Sequence, residues 1–341
     1  MTTEPGSDTR AALRCAPMAR AMGYVPTATA ASTPAFLLVE APLPWPDDVG
    51  EHPALAPLGP VLRAHGARLQ ALVPNGETPE GHVRLIAYRQ PGGPDGPLTR
   101  YVRHERVVPA TDVAAEAESL LDHVVLAPEG RSIRRPSGAR TERDVPEDDL
   151  VDVLVCTHGS RDVCCGKDGT RVFRDLVARG LPGVRVWRTS HTGGHRFAPT
   201  AITLPDGRAW ASVDDVLLAA VVTRTADPAT IAAHDRGCAG LGDPVAQAAE
   251  GAVLAAEGWG WLDRPRQVTV VPPADGGDDG RATVTVVGHP DGNGQSDTVT
   301  YRADVAVRRV VPVPDCGRPI DEARKTAREL EVVALDKTEE S

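Results

Sequence analysis

The sequence predicts a mixed α/β (α+β) protein, and three observations carry that expectation. Short aliphatic and β-branched runs alternate with amphipathic stretches from Phe36 to Arg224. Within that region the order strand, helix, three strands, helix occurs twice. From Gln267 onward the pattern changes to short strands separated by Gly/Asp-rich loops, which reads as an antiparallel β appendage.

In chain order, residues 1–32 are rich in Ala, Thr and Pro and are expected to be a flexible N-terminal segment. Residues 33–145 form the first unit. Its strands are expected at Phe36–Glu40, Arg68–Val73, Val83–Arg89 and Arg100–Val108. A helix over Pro57–His65 stops at Gly66, and a second runs from Thr111, a good N-cap residue, to Asp122.

Residues 146–225 repeat that order. A strand spans Val151–Cys156, and a helix spans Thr170–Arg179 with Val172, Phe173, Leu176 and Val177 on one face and Gly180 as its stop. Strands follow at Val184–Trp187, Thr200–Leu204 and Arg208–Val213, the last two joined by Pro205-Asp206-Gly207, and a helix covers Asp214–Thr223. The first unit carries Val39 and Glu40 where the second has Cys156, so it reads as a degenerate copy without ligands.

Residues 226–316 hold an Ala-rich helix, Val245–Glu257, and strands at Gln267–Val271, Ala282–Val287, Thr298–Tyr301 and Val305–Val311. The loop DGNGQSD from Asp291 lacks the glycine and glutamate of a calcium loop and reads as a hairpin turn. Residues 317–341 read as a charged, helical tail.

Composition narrows the function classes. Hydrophobic residues make up 41% of the 341 residues but aromatics only 4%, so the core is built mostly of Val, Leu and Ala. The net charge of -10 argues against nucleic-acid and anionic-membrane binding. The six cysteines are too unevenly spaced for a disulfide scaffold, no apolar run reaches membrane-span length, and the N-terminus lacks a signal-peptide core. The expectation is a soluble cytoplasmic protein whose clustered cysteines bind metal or do redox work.

Four residues stand out: Cys156 and Cys165 in VCTHGSRDVCCGKDG, then His191 and His195 in SHTGGHRFAPT. Two thiolates and two imidazoles suit either a two-iron cluster or a zinc ion. The two short loops suggest that both thiolates bind one iron and both histidines the other. Imidazoles in place of thiolates remove negative charge, which makes such a centre easier to reduce. Gly159, Gly166, Gly193 and Gly194 would let backbone amides turn inward. Arg161, Lys167, Arg188 and Arg196 lie close in sequence, and each taken singly reads as an ordinary solvated cation. Cys164, beside Cys165, is a second candidate thiolate, although the C-x8-C spacing selects Cys165. His158, Cys238 and Cys316 read as residues without a metal role, and Trp259 and Trp261 as packing anchors.

The C-x8-C followed by H-x-G-G-H, FAPT and LPDG resembles the sucrase/ferredoxin-like family, most strongly over Val151–Arg224, with weaker echoes at FLLVEAPLPW, AQAAE and DCG. That resemblance implies a thioredoxin-like ferredoxin fold. It also implies a [2Fe-2S] cluster ligated by Cys156, Cys165, His191 and His195. The implied role is one-electron transfer between redox partner proteins, a reductase and an acceptor, rather than stand-alone catalysis. Two other functions use the same residues. One is a structural or regulatory zinc module on the same four ligands, although eight residues between cysteines is long for zinc. The other is a thiol oxidoreductase using Cys164 and Cys165 or Cys156, for which the C-x-x-C motif is absent.

Overall fold

The computed structural model describes residues 13–92, 96–126, 150–271, 281–291 and 296–338. A nine-stranded mixed sheet forms the body, and a separate four-stranded antiparallel sheet packs beside it. The α+β expectation therefore holds.

The first unit contributes β1 (Ala35–Glu40), β2 (Ala67–Leu72), β3 (His82–Arg89) and β4 (Val102–Pro109). The second contributes β5 (Val151–Cys156), β6 (Val184–Thr189), β7 (Ala201–Leu204) and β8 (Arg208–Trp210). Both units pair identically: the first strand lies parallel to the second and antiparallel to the third, and the third is antiparallel to the fourth. The units join edge to edge through β2 and β6, at Leu72 and Thr189.

Side-chain alternation along these strands divides the core into layers. On β1, Leu37 and Val39 face one layer, which also holds Leu85, Ala87, Leu120 and Leu121, while Phe36 and Leu38 face the opposite side. On β5, Leu154 joins Phe36 and Leu38 in a layer shared by both units, while Val153 and Val155 pack on Val172, Leu176 and Leu218. All six residues of β1 are buried, as a central strand covered on both faces requires.

Helices occur where the apolar spacing and stop signals place them. A short helix at Gly59–His65 ends at Gly66, which takes φ +59° to turn the chain out. The helix of the first unit begins at Val113, so Asp112 rather than Thr111 precedes it. In the second unit α4 spans Thr170–Ala178, counting α1 as Cys15–Ala21, α2 as Gly59–His65 and α3 as Val113–Leu126. It buries Val172 and Leu176, one turn apart. α5 (Asp215–Val222) is capped by Asp214, whose carboxylate accepts from the Leu217 N–H at 2.7 Å. After the short α6 (Pro228–Ile231), a strand not expected from sequence, β9 (Asp235–Cys238), adds to β8. Its residues DRGC carry almost no strand propensity, so the pairing with β8 dictates it. α7 (Pro244–Glu257) follows and is capped by Asp243.

The second sheet has the order β10 (Arg266–Val271), β11 (Ala282–Gly288), β12 (Val299–Pro312), β13 (Thr326–Thr338). It packs Val284, Val286, Tyr301 and Val305 against Ala248, Ala249, Val253 and Leu254 of α7, with Trp261 buried among them. Buried Glu250 of α7 pairs with Arg208 of β8 and with Arg266 of β10 at 2.7 Å, which fastens one sheet to the other.

Three expectations need correction. The two separate strands near Thr298 and Val305 are one strand, β12, with a register shift at Asp304/Val305. Apart from one 3-10 turn at Ile320–Glu322, the tail after Cys316 is a strand rather than a helix: β13 pairs along nearly all of β12, because a long unpaired edge offers its segment TARELEVVALDKT more hydrogen bonds than an isolated charged helix would gain. From residue 13 the N-terminal segment is packed, with Cys15, Ala16, Ala19 and Tyr24 buried and the Thr29 and Ala30 N–H groups donating to the Arg236 carbonyl. The expected boundary near residue 145, residues 1–12 and the centre of the DGNGQSD loop lie outside the described residues.

Candidate metal centre

β5 and β6 are parallel, and Cys156 at the end of one is the register partner of Thr189 at the end of the other. The loops that follow therefore leave the sheet at the same edge, where parallel strands commonly build sites. One carries Cys156 to Cys165, the other His191 to His195.

The first loop is held close by small residues. A Cβ on Gly169 would lie 1.9 Å from the Cys156 carbonyl oxygen, and one on Gly166 would lie 2.5 Å from the Gly159 Cα. These glycines allow backbone to approach backbone. A wide π-type turn over Cys165–Gly169 leads into α4 and keeps Cys165 buried beside Cys156. In the second loop, Gly193 and Gly194 take φ +85° and +65°, the left-handed backbone that favours glycine.

The loops are tied together from outside. The His158 Nε2 donates to the Pro46 carbonyl at 2.9 Å, and its Nδ1 accepts from the His191 N–H at 3.2 Å. His158 is thus a neutral brace, and burial lowers its pKa. Arg68 of β2 donates to the His191 carbonyl at 3.0 Å, and Arg236 of β9 donates to the Gly193 carbonyl at 3.0 Å.

Cys156, Cys165 and His191 come together in this shell. Hydrogen bonding from Cys165 holds the Cys156 thiol well below its usual range despite burial, and the His191 imidazole adds to the effect. The Cys165 thiol is pushed up in turn. His191 Nδ1 is buried and makes no hydrogen bond, the state expected of a nitrogen that awaits a ligand. Two guanidiniums, Arg236 buried and Arg68 half-buried, add positive charge. Arg68 is lowered by burial, and Arg236 is pushed down to about 9 by burial and by the neighbouring Arg196 and Arg68. Thiolates and sulfide would supply the missing negative charge. On these three counts the residues fit an anionic metal–sulfur group.

His195 is placed differently. Its ring centroid lies 6.1 Å from that of His191, but its Nδ1 is 3.1 Å from Asp162 Oδ2 and 3.3 Å from Cys15 Sγ. Asp162 is held down to about 2: burial opposes ionisation, but hydrogen bonds from His195 and from the Cys165 N–H outweigh it.

Cys15 of α1 and Cys316, from the segment between β12 and β13, reach the same place. Among the described residues, one group of potential ligand atoms lies mutually within 4.8 Å: Cys15, Asp162, Cys164 and Cys316. The four expected ligands do not form such a group. The vicinal thiols are thereby divided, with Cys164 Sγ 4.0 Å from Cys316 Sγ while Cys165 pairs with Cys156. Cys316 is therefore not the inert thiol that its isolation in sequence suggests, and neither Cys15 nor Asp162 was among the expected site residues. Cys238 is buried elsewhere, its thiol directed to the Asp206 carbonyl. Arg196 also departs from expectation: its guanidinium stacks on Tyr24 and Phe197, 5.0 and 4.6 Å from the ring centroids.

A family model described as sucrase/ferredoxin-like matches residues 27–237, more than half of the chain. The chain belongs to the sucrase/ferredoxin-like family. The match covers both paired units and both site loops, so this sucrase/ferredoxin-like region includes the first unit as well as the one bearing Cys156 and His191. No curated protein and no solved structure matches the chain. Among the described residues no helix is long and apolar enough to cross a membrane.

Proposed function

We propose that this sucrase/ferredoxin-like chain is a one-electron carrier whose [2Fe-2S] cluster is held by Cys156, Cys165, His191 and His195. The observation that carries the reading is the buried Cys156–Cys165 pair with the buried, unpartnered His191 Nδ1 and two neighbouring arginines, Arg236 buried and Arg68 half-buried. When bound, the cluster would accept and release single electrons. A two-iron core takes one ligand pair on each iron, so it does not need all four ligand atoms within a single coordination sphere.

The chain's own groups divide the remaining work. Asp162 accepts the Nδ1–H of His195, which fixes the tautomer and leaves Nε2 as the donor nitrogen, the usual arrangement of a metal-binding histidine backed by a carboxylate. Arg68 and Arg236 offset the anionic ligands. His158 and the close-packed glycines hold both loops in place. His195 is partly exposed and Cys156 is not, so electrons would enter and leave on the histidine side. Leu43 and Val163, exposed apolar residues on neighbouring loops, suit a docking edge for a reductase or an acceptor. The repeated strand pairing supports a thioredoxin-like reading of each unit.

Zinc on the same four ligands is less well supported. One ion needs four ligand atoms around it, and the ligand atoms of these four residues do not all lie within 4.8 Å of one another. A thiol oxidoreductase has no accessible nucleophile, because Cys156, Cys164 and Cys165 are all buried. The test is anaerobic purification with iron and acid-labile sulfide counted per chain, visible absorption, and a paramagnetic spectrum after reduction. Two irons, two sulfides and a rhombic signal are expected. A chain without iron or sulfide, whatever other metal it holds, ends the reading.

A further inference from the structure

We propose a second metal site beside the first: a single soft divalent ion of the zinc class, held by Cys15, Cys164, Cys316 and Asp162. The site goes beyond the electron-transfer reading and does not depend on it.

The geometry is that of a tetrahedron. Zinc–sulfur bonds of about 2.3 Å and a zinc–oxygen bond of about 2.1 Å, at tetrahedral angles, put two sulfurs about 3.8 Å apart and a sulfur and an oxygen about 3.6 Å apart. Cys316 Sγ lies 3.4 Å from Cys15 Sγ and 4.0 Å from Cys164 Sγ. Asp162 Oδ2 lies 3.4 Å from Cys15 Sγ and 3.5 Å from Cys316 Sγ. All four atoms sit within 4.8 Å of one another, and all three thiols are free. Four ligand atoms at these separations leave room for one ion and no more.

The surroundings complete the site. Asp162 Oδ1 accepts the Cys165 N–H at 2.9 Å, so Oδ2 is the oxygen left to coordinate, and the His195 Nδ1–H steadies it. Metal binding would displace the thiol protons and leave three thiolates. Cys15, Cys164 and Asp162 are buried and Cys316 is half-buried, which opens a path for the ion from the Cys316 side.

The ligands come from three distant segments. Cys15 and Cys316 are 301 residues apart, and besides their thiols the Gly317 N–H donates to the Leu13 carbonyl at 2.9 Å. An ion here would clamp the N-terminal helix and the β12–β13 connection onto the loop that carries Cys165. Both centres would then meet at Asp162, which coordinates the ion and holds His195.

The test uses the full chain purified anaerobically, with iron and zinc both counted. About one zinc per chain is expected beside any iron. Cys316→Ser should lose that zinc with iron unchanged, and Cys156→Ser should lose iron with zinc unchanged. Exchange of the zinc for cobalt in the iron-loaded wild type should give the bands of a tetrahedral ion with thiolate charge transfer from three sulfurs, a readout that needs no variant. Zinc retained in Cys316→Ser overturns the site. So does a wild-type chain that takes up neither zinc nor cobalt, or cobalt spectra with fewer than three thiolates. Iron missing while a Cys316-dependent zinc remains would sink the electron-transfer reading and leave this one standing.

Discussion

Asp152 tests how the sheet supports the site. It lies on β5, the strand that ends in Cys156, and its carboxylate is fully buried. Arg185 donates to it at 2.8 and 2.7 Å, Trp187 Nε1 at 2.7 Å and Arg103 Nε at 3.3 Å, and the Tyr88 hydroxyl donates as well. Burial alone would raise its pKa, but Arg185 and Arg103 outweigh burial and hold it at about 2 against an ordinary 3.8. That depression corresponds to about 2.5 kcal/mol of folding stability at neutral pH. In Asp152→Asn the charge is gone, and an amide NH2 faces groups that are themselves donors. Glu105 still pairs with Arg103 and Arg185, so the loss stays near the low end of the roughly 3–5 kcal/mol seen when a buried ion is stranded. The expected loss is about 2–3 kcal/mol. Denaturant unfolding of the metal-free chain, wild type against variant, measures it without interference from acid release of metal. The folded pKa is depressed, so the stabilisation is fully present above about 3.8 and is lost as pH falls through about 2. The wild-type advantage should therefore shrink on acidification. A difference below about 0.5 kcal/mol at neutral pH, or one that grows in acid, refutes the reasoning.

Three further outcomes are expected. Cys165→Ser should abolish visible absorption while Cys164→Ser preserves it, since the vicinal thiols face different neighbours; equal bleaching in the two variants contradicts that division. Gly169→Ala places a methyl group 1.9 Å from the Cys156 carbonyl oxygen, so stability should fall by at least about 1–3 kcal/mol and iron content should fall with it, both read on the purified variant. His191→Cys should lower the reduction potential, because a thiolate adds negative charge where an imidazole added none; a redox titration showing a rise removes His191 from the ligand set.

Much of the fold was readable because its strands and helices obey local rules. Gly66, Gly180 and Asp214 mark helix ends that the structure keeps, and β1 and β5 follow the aliphatic runs FLLVE and VDVLVC. What failed was non-local. β9 exists because β8 offers an edge, and β13 exists because β12 does. The packed N-terminal segment shows the same limit: Cys15 and Ala19 have no local periodicity to mark them and are buried by what they meet, including Phe197 and Asp162. The site divides along the same line. The loop residues from Cys156 to His195 were legible from spacing. Arg68 and Arg236 arrive from other strands, and Cys15 and Cys316 from opposite ends of the chain, so no spacing rule could bring them in. The one local hint was Asp162, two residues before Cys164 in a loop already crowded with thiols.

The two paired units also differ in what stands at the end of their first strand. β1 and β5 each have six residues, and each ends opposite the last residue of its parallel neighbour, Glu40 opposite Leu72 and Cys156 opposite Thr189. Glu40 therefore occupies in the first unit the place that Cys156 occupies in the second. It is buried, accepts hydrogen bonds from the Thr78 hydroxyl at 2.5 Å and the Arg84 N–H at 3.2 Å, and lies 3.5 Å from the Arg84 guanidinium. A carboxylate so compensated has no need of a metal. The first unit has settled the charge at its strand end with an arginine from its own sheet, whereas the second leaves Arg236 and the half-buried Arg68 beside a thiol pair. Glu40→Cys should therefore bind no additional metal in the purified chain, since the partner thiol and the histidine loop are both missing. A gain of iron or zinc in that variant would mean that strand-end position alone, rather than the loops around it, makes the site.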